Sequence, residues 1–318
     1  MSDGTENKQE RQESVKLDEI MRLLFDMSKE TLVNMVNGLF GETLDPALVD
    51  ITKDNAKFVN EQLEIIEGDL FLRVFIPGST KPNLFHIEFQ TSEDGTMAIR
   101  VLKYDLTKAV ENQNLNGKRI LYMPKSLVIH IEEHKSIPDE YHTIIMFADG
   151  DTKEFTVPVL KYWQLSDEYL IKHNLFPLLP LQIFLLRAEL DKLTKNKDIK
   201  AKQGAILKAR DIAERIAKEA AELNEIGKLI DDDFKKVLKA INNLFEHLNT
   251  RYEVDKNLNS EVKTMTELIF DDTAYKRGEY KKAVEMATEM LLDGEPIKKI
   301  IKYTKLTEKE IKEIQKTL

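Results

Sequence analysis

Apolar positions first settle into a helical rhythm at Leu17, Ile20, Met21, Leu24 and Phe25, within a segment that opens at Lys16. Ser28, with Glu30 and Thr31 behind it, starts a second helix striped by Leu32, Met35, Val36 and Leu39 and ending near Gly41. From Phe58 the period becomes extended. Leu63 and Ile65, then Leu70, Leu72 and Val74, alternate with their neighbours as strands do. Pro77 to Asn83 is a turn, and Leu84 to Gln90 is the next strand. Met97 to Val110 returns to helical spacing. Ser126–Ile131, Tyr141–Phe147 and Glu154–Leu160 read as further strands, the last two joined at Asp149-Gly150. Pro158 lacks a backbone donor, which predicts that its strand lies at an edge or ends there.

After Pro180 every segment reads as helix. Ala201–Asn224 and Phe234–Leu248 carry long amphipathic patterns, followed by Ser260–Ile269 and Tyr275–Leu292. Pro296–Tyr303 and Glu308–Thr317 close the chain as a short pair with a helix-turn-helix look. The second helix of that pair carries Glu308, Glu310 and Glu313, a poor complement to DNA, so it is read as a packing or partner element. The expected organisation is a disordered polar tail over residues 1–15, a mixed α/β domain over 16–177, a helical domain over 178–292 and the helix pair over 293–318.

Composition narrows the function classes. The 318 residues include no cysteine, which excludes disulfides and thiolate metal sites and fits a reducing, cytoplasmic setting. The first residues hold no apolar run of the secretory kind, and the stretch Leu175–Leu186 is too short and too broken by proline to cross a bilayer, so no membrane partner is expected. A net charge of −9 argues against a basic nucleic-acid coat protein, though not against an enzyme that meets DNA through a local patch and a metal. The most basic window, Lys192 to Arg210, is read first as a solvated face. Long amphipathic helices leave room for a homo-oligomer formed through the C-terminal helices.

One strand carries the chemistry. Side chains two apart share a face, so Phe85, Ile87 and Phe89 point one way and His86, Glu88 and Gln90 the other. An apolar face on a core and a polar face on a cleft suit a catalytic strand. Gly68-Asp69 opens the preceding strand, and a hairpin through Pro77–Asn83 brings Asp69 toward Glu88. Two close carboxylates repel unless a cation lies between them, and hard oxygen donors favour Mg²⁺ or Mn²⁺. His86 on the same face is read as a core or surface histidine. His130 and His134 match no helical zinc spacing.

The order of these residues resembles the PD-(D/E)XK nuclease core, a restriction-endonuclease-like α/β fold. The wording His86-Ile87-Glu88-Phe89-Gln90, followed by Arg100 and Tyr104, is similar to the recombination-promoting nuclease and transposase family. So are Asp18 to Phe25 near the N-terminus and Gly294 with Ile297–Ile311 near the other end. The resemblance spans roughly residues 16–175 and the last forty or so. It implies a divalent-metal-dependent endonuclease acting on DNA. Asp69 and Glu88 then hold the metal, with the Phe89 carbonyl completing the shell, and Gln90 orients the attacking water where related nucleases carry lysine. Arg100, Lys103 and Tyr104 face the phosphate, and Asp18 is an additional acidic candidate. Two rivals stay open: a catalytically weak or inactive nuclease fold that binds DNA or protein, and an oligomerising protein that works through its helical half.

Overall fold

The structure is a computed structural model that describes residues 20–54, 57–59, 65–67, 70–79, 81, 83–111, 120–252 and 254–318. The predicted tail 1–15 lies outside them, as do Asp18 and Asp69. A six-stranded mixed sheet forms the first half and helices form the second.

Residues 20–24 make one helical stretch, and α1 (Lys29–Phe40) follows, capped by the Ser28 hydroxyl. The strands are β1 (Asp50–Asp54), β2 (Lys57–Val59), β3 (Ile65–Glu67), β4 (Leu70–Phe75), β5 (Asn83–Gln90), β6 (Lys125–His130), β7 (Glu140–Met146) and β8 (Thr152–Lys161). Helix α2 (Met97–Glu111) crosses between β5 and β6. The main sheet runs in the order β1-β4-β5-β6-β8-β7, while β2 and β3 form a separate pair. β4 runs antiparallel to both of its neighbours, β1 and β5, and β5, β6 and β8 are parallel. The hairpin predicted from Pro77–Asn83 is present, with Leu70 opposite Ile87 and Leu72 opposite Phe85.

Two expectations are corrected. β8 is an interior strand despite Pro158, because it changes partners there. Residues 152–158 pair with β7, whereas residues 159–161 pair with β6, so no ladder needs the missing N–H. The two helices expected over residues 260–292 form one continuous helix. No proline interrupts them, and the buried Thr273 hydroxyl bonds back to the Ile269 carbonyl (2.7 Å).

The remaining helices are α3 (Asp167–Lys172), α4 (Leu181–Phe184), α5 (Arg187–Lys195), α6 (Ile199–Glu225), α7 (Asp231–Tyr252), α8 (Lys256–Leu292), α9 (Ile297–Thr304) and α10 (Glu308–Thr317). α6 presents Ala205, Ala209, Ala213, Ala217 and Ala220, so α7 and α8 can approach it closely. The end of α8 packs with α9 and α10 around Ala287, Ile300, Leu306 and Ile311. Among the described residues no helix is long and apolar enough to cross a membrane.

One apolar core runs from the sheet into the helices. It holds Leu72, Ile87 and Ile129 of the sheet together with Ile206, Ile241 and Phe245 of α6 and α7. Gly38 lets α1 approach the chain after α3, where a methyl group would strike the His173 carbonyl. Asp233, at the start of α7, fastens the other end of α1. It accepts from the Ser28 backbone N–H (2.8 Å), the Ser28 hydroxyl (2.5 Å) and the Thr31 hydroxyl (2.7 Å). Asp233→Ala strands these donors and should cost about 2–4 kcal/mol in urea unfolding, with Asp233→Asn recovering part of it. A loss below about 0.5 kcal/mol would remove Asp233 as the fastening.

Candidate functional site

The apolar face of β5 packs into the main core as its alternation predicts. The opposite face does not meet an open cleft, which corrects that expectation: α2 lies across it and buries His86 and Glu88. Three registered rows of side chains run under the helix. Asp54, Phe71, His86 and Ser126 form the first, Glu88 and Val128 the second, and Gln90, His130 and Lys161 the third.

Helix α2 meets these rows with Arg100, Tyr104, Asp105 and Lys108, which one helical face presents together. Asp105 Oδ1 bonds His86 Nδ1 at 2.8 Å, and the Ser126 hydroxyl donates to Asp105 Oδ2 at 2.5 Å. The other ring nitrogen, His86 Nε2, lies 3.3 Å from Glu88 Oε2. Arg100 reaches the remaining Glu88 oxygen, Oε1, at 2.5 Å and holds Asp94 Oδ2 at 2.9 Å. The result is a chain from Ser126 through Asp105, His86 and Glu88 to Arg100 and Asp94. Phe71 stacks on the His86 ring with centroids 4.1 Å apart, and Tyr104 meets it edge-on. Farther along, the buried Lys108 pairs with Asp54 at 3.2 Å, and Arg73 holds the other Asp54 oxygen at 2.6 Å.

Charge states follow from this packing. Burial by itself pushes the His86 imidazole toward neutrality, but Asp105 and Glu88 outweigh it and lift its pKa to about 9. Burial raises Glu88, yet His86 and Arg100 reverse the effect and hold the carboxyl below its usual value. Asp105 is shifted upward, because burial exceeds the help it gets from His86 and Ser126. In the third row burial drives His130 down to about 4, so it is neutral beside the Tyr141 hydroxyl, 2.8 Å from its Nε2.

The expected site residues therefore divide. Glu88, Arg100 and Tyr104 gather at one place. Gln90 is half-buried at the end of β5, where its carbonyl accepts the Ile131 N–H (2.8 Å). Lys103 is exposed on α2. Of the two readings of His86, core or surface, its full burial selects the core. Asp94, Asp105, Lys108 and Ser126 were not singled out from the sequence. The available signal was the spacing of Arg100, Tyr104, Asp105 and Lys108 on one stripe of a helix whose opposite stripe is apolar.

Glu88 and Asp94 supply hard carboxylate oxygens, and both are taken up by one guanidinium, that of Arg100. Among the described residues no group of three or more His, Asp or Glu side chains is arranged to hold a metal ion. A cation at Glu88 Oε1 would have to displace Arg100, which bonds that oxygen. No family model matches the chain, and no curated protein or solved structure is significantly similar to it.

Proposed function

We propose that the chain is a divalent-metal-dependent DNA endonuclease with a PD-(D/E)XK core. Asp69 and Glu88 hold Mg²⁺ or Mn²⁺, Gln90 orients the attacking water, and Arg100 and Lys103 meet the phosphate. The observation that carries the reading is the buried, ionised Glu88 on β5, with cationic partners on both oxygens. Its neighbour Ile87 pairs with Leu70, the residue that follows Asp69 in the sequence. A deeply buried carboxylate kept charged is costly, and such groups concentrate at functional sites. The bound ion supplies a water of lowered pKa and stabilises charge growing on the phosphate. The protein supplies the rest. Gln90 offers an amide to the water, Tyr104 and Phe71 wall the histidine from solvent, and α2 places Arg100 beside Glu88.

A second reading has its own observation. Both Glu88 oxygens are already neutralised, by Arg100 and His86, as a retired metal site would be. The fold would then serve as a binding or oligomerising module. Supercoiled plasmid with Mg²⁺ or Mn²⁺ separates the two. The first reading expects nicking that EDTA abolishes and that Asp69→Ala and Glu88→Ala each slow by on the order of 100-fold or more. Nicking at the parental rate in both variants removes these residues as the site. A parent chain that neither nicks DNA nor binds metal favours the second reading.

A further inference from the structure

The two edges of the main sheet are built differently. β1 is five residues long and charged at Asp50, Lys53 and Asp54, which protects an edge against stray pairing. β7 closes the other end of the strand order and has no such guard. It holds no lysine, arginine or proline, and its register with β8 runs without a bulge from Glu140 opposite Pro158 to Met146 opposite Thr152. Two of its apolar side chains, Ile144 and Met146, are 67% and 74% exposed.

Bonds at the two ends of β7 fix its backbone phase. The Val159 N–H donates to the Asp139 carbonyl (2.9 Å), and the Phe147 N–H donates to the Asp151 carbonyl (2.8 Å). Odd-numbered residues therefore turn their N–H and C=O groups toward β8, while Glu140, His142, Ile144 and Met146 turn theirs toward the open edge. Among the described residues no strand lies beyond them. Tyr141 packs on the cluster of Met97, Val101 and Val157, so the odd side chains share the α2 side of the sheet and the even ones take the opposite side.

We propose that β7 is a dimerisation strand, and that a second copy of the chain pairs with it antiparallel across a two-fold axis at Thr143. Glu140 then meets the second copy's Met146, and His142 meets its Ile144. Each of these pairs exchanges both backbone hydrogen bonds, so every outward N–H and C=O of the strand is used, which no other two-fold register of β7 achieves. On the α2 side Thr143 meets its own copy and Tyr141 meets Ile145, a Thr–Thr and an aromatic–β-branched pair of the kinds that favour a sheet. On the other side Glu140 faces methionine and His142 faces isoleucine, so no like charges oppose, and Ile144 lies diagonally across the axis from its copy. The two six-stranded sheets become one. Because the same edge serves both copies and β1 is guarded, the assembly closes at two. The dimer stands apart from the metal-binding reading of β5.

Sedimentation equilibrium of the full chain measures the association. An edge pairing this short buries less than a standard interface, so the dissociation constant should be on the order of 10 μM. Met146→Glu sets an acid against the second copy's Glu140 and should weaken dimerisation roughly tenfold or more, while Met146→Lys sets a base there and should match or exceed the parent. Both changes remove the same apolar group from an exposed position, so the register alone separates them. The chain has no cysteine, so Thr143→Cys puts a single thiol on the axis. Its dimer should form a disulfide under mild oxidation, whereas Ile145→Cys, about 13 Å from its copy along the strand, should not. A parent that stays monomeric about tenfold above the expected dissociation constant overturns the proposal and leaves the edge to an extended segment of another protein. Equal dimerisation of Met146→Glu and Met146→Lys, a dimer that Thr143→Cys fails to cross-link, or growth past two copies overturns it as well.

Discussion

Replacing His86 with alanine will lower the unfolding free energy by about 3–5 kcal/mol, among the largest losses open to a single substitution here. The imidazolium bridges two carboxylates under α2, with Asp105 at 2.8 Å and Glu88 at 3.3 Å. Without it both acids stay buried and lose the cation they share, while Ser126 still bonds Asp105 and Arg100 still bonds Glu88. The substitution also removes the ring against which Phe71 stacks, so a cavity adds to the electrostatic loss. Urea unfolding of parent and variant measures the difference, read from the midpoint while the slope holds constant. Pairing His86→Ala with Asp105→Asn supplies the second reading. The double variant should lose less than the sum of the two singles, because the first change already breaks the bond that the second removes. A loss below about 1 kcal/mol, or strict additivity, would mean that the bridge contributes little.

That bridge explains which parts of the protein were legible in the sequence. Alternation along Leu84 to Gln90 gave the strand and its two faces, because one face enters an apolar core whose period is unmistakable. The same alternation says nothing about what covers the polar face. The polar face bearing His86 and Glu88 is read from the sequence as facing a cleft, yet α2 seals it. The helix itself was deceptive. Ile99, Leu106 and Val110 are 58%, 46% and 48% exposed, while Arg100, Asp105 and Lys108 turn inward beside the buried Met97 and Val101, so the inner face mixes charge with apolar groups. Here the buried charges are satisfied largely by partners on other elements, and that pairing is invisible until the sheet register is known.

Elsewhere the omissions have simpler causes. β1 reads Asp50-Ile51-Thr52-Lys53-Asp54, with a single strongly apolar residue, because it is an edge strand that needs little core. Pro158 looked like the mark of an edge because partner switching within one strand leaves no local trace. The long helices of the second half were plain, since their stripes meet one another and the rule that reads them is local. Asp69 and Asp18 carry part of the sequence argument and lie outside the described residues, and the share of Asp69 is read from the cleavage assay.

Stability should also fall by about 3 kcal/mol as pH rises from 6.5 to just above 9, through His86. The sign follows from its proton. The folded chain binds it with a pKa of about 9, against 6.5 for a free imidazole, so the contribution is complete below pH 6.5, where both states are protonated. Between the two values only the folded state carries the proton, and each pH unit removes part of the advantage until none remains above about 9. His130 acts with the opposite sign. Its folded pKa near 4 makes its contribution complete above 6.5 and lost as pH falls through 4. The two histidines therefore place a stability maximum near pH 6.5, with the alkaline side set under α2 and the acid side set beside Tyr141. Urea midpoints across pH 4 to 10 should show both limbs. His86→Gln should flatten the alkaline limb alone, and His130→Gln the acid limb alone. A parent whose stability stays level from pH 6.5 to 9 would mean that His86 is neutral in the fold. Glu88 and Asp105 would then face each other across an uncharged ring, and Arg100 would be left as the main cation balancing the buried acids.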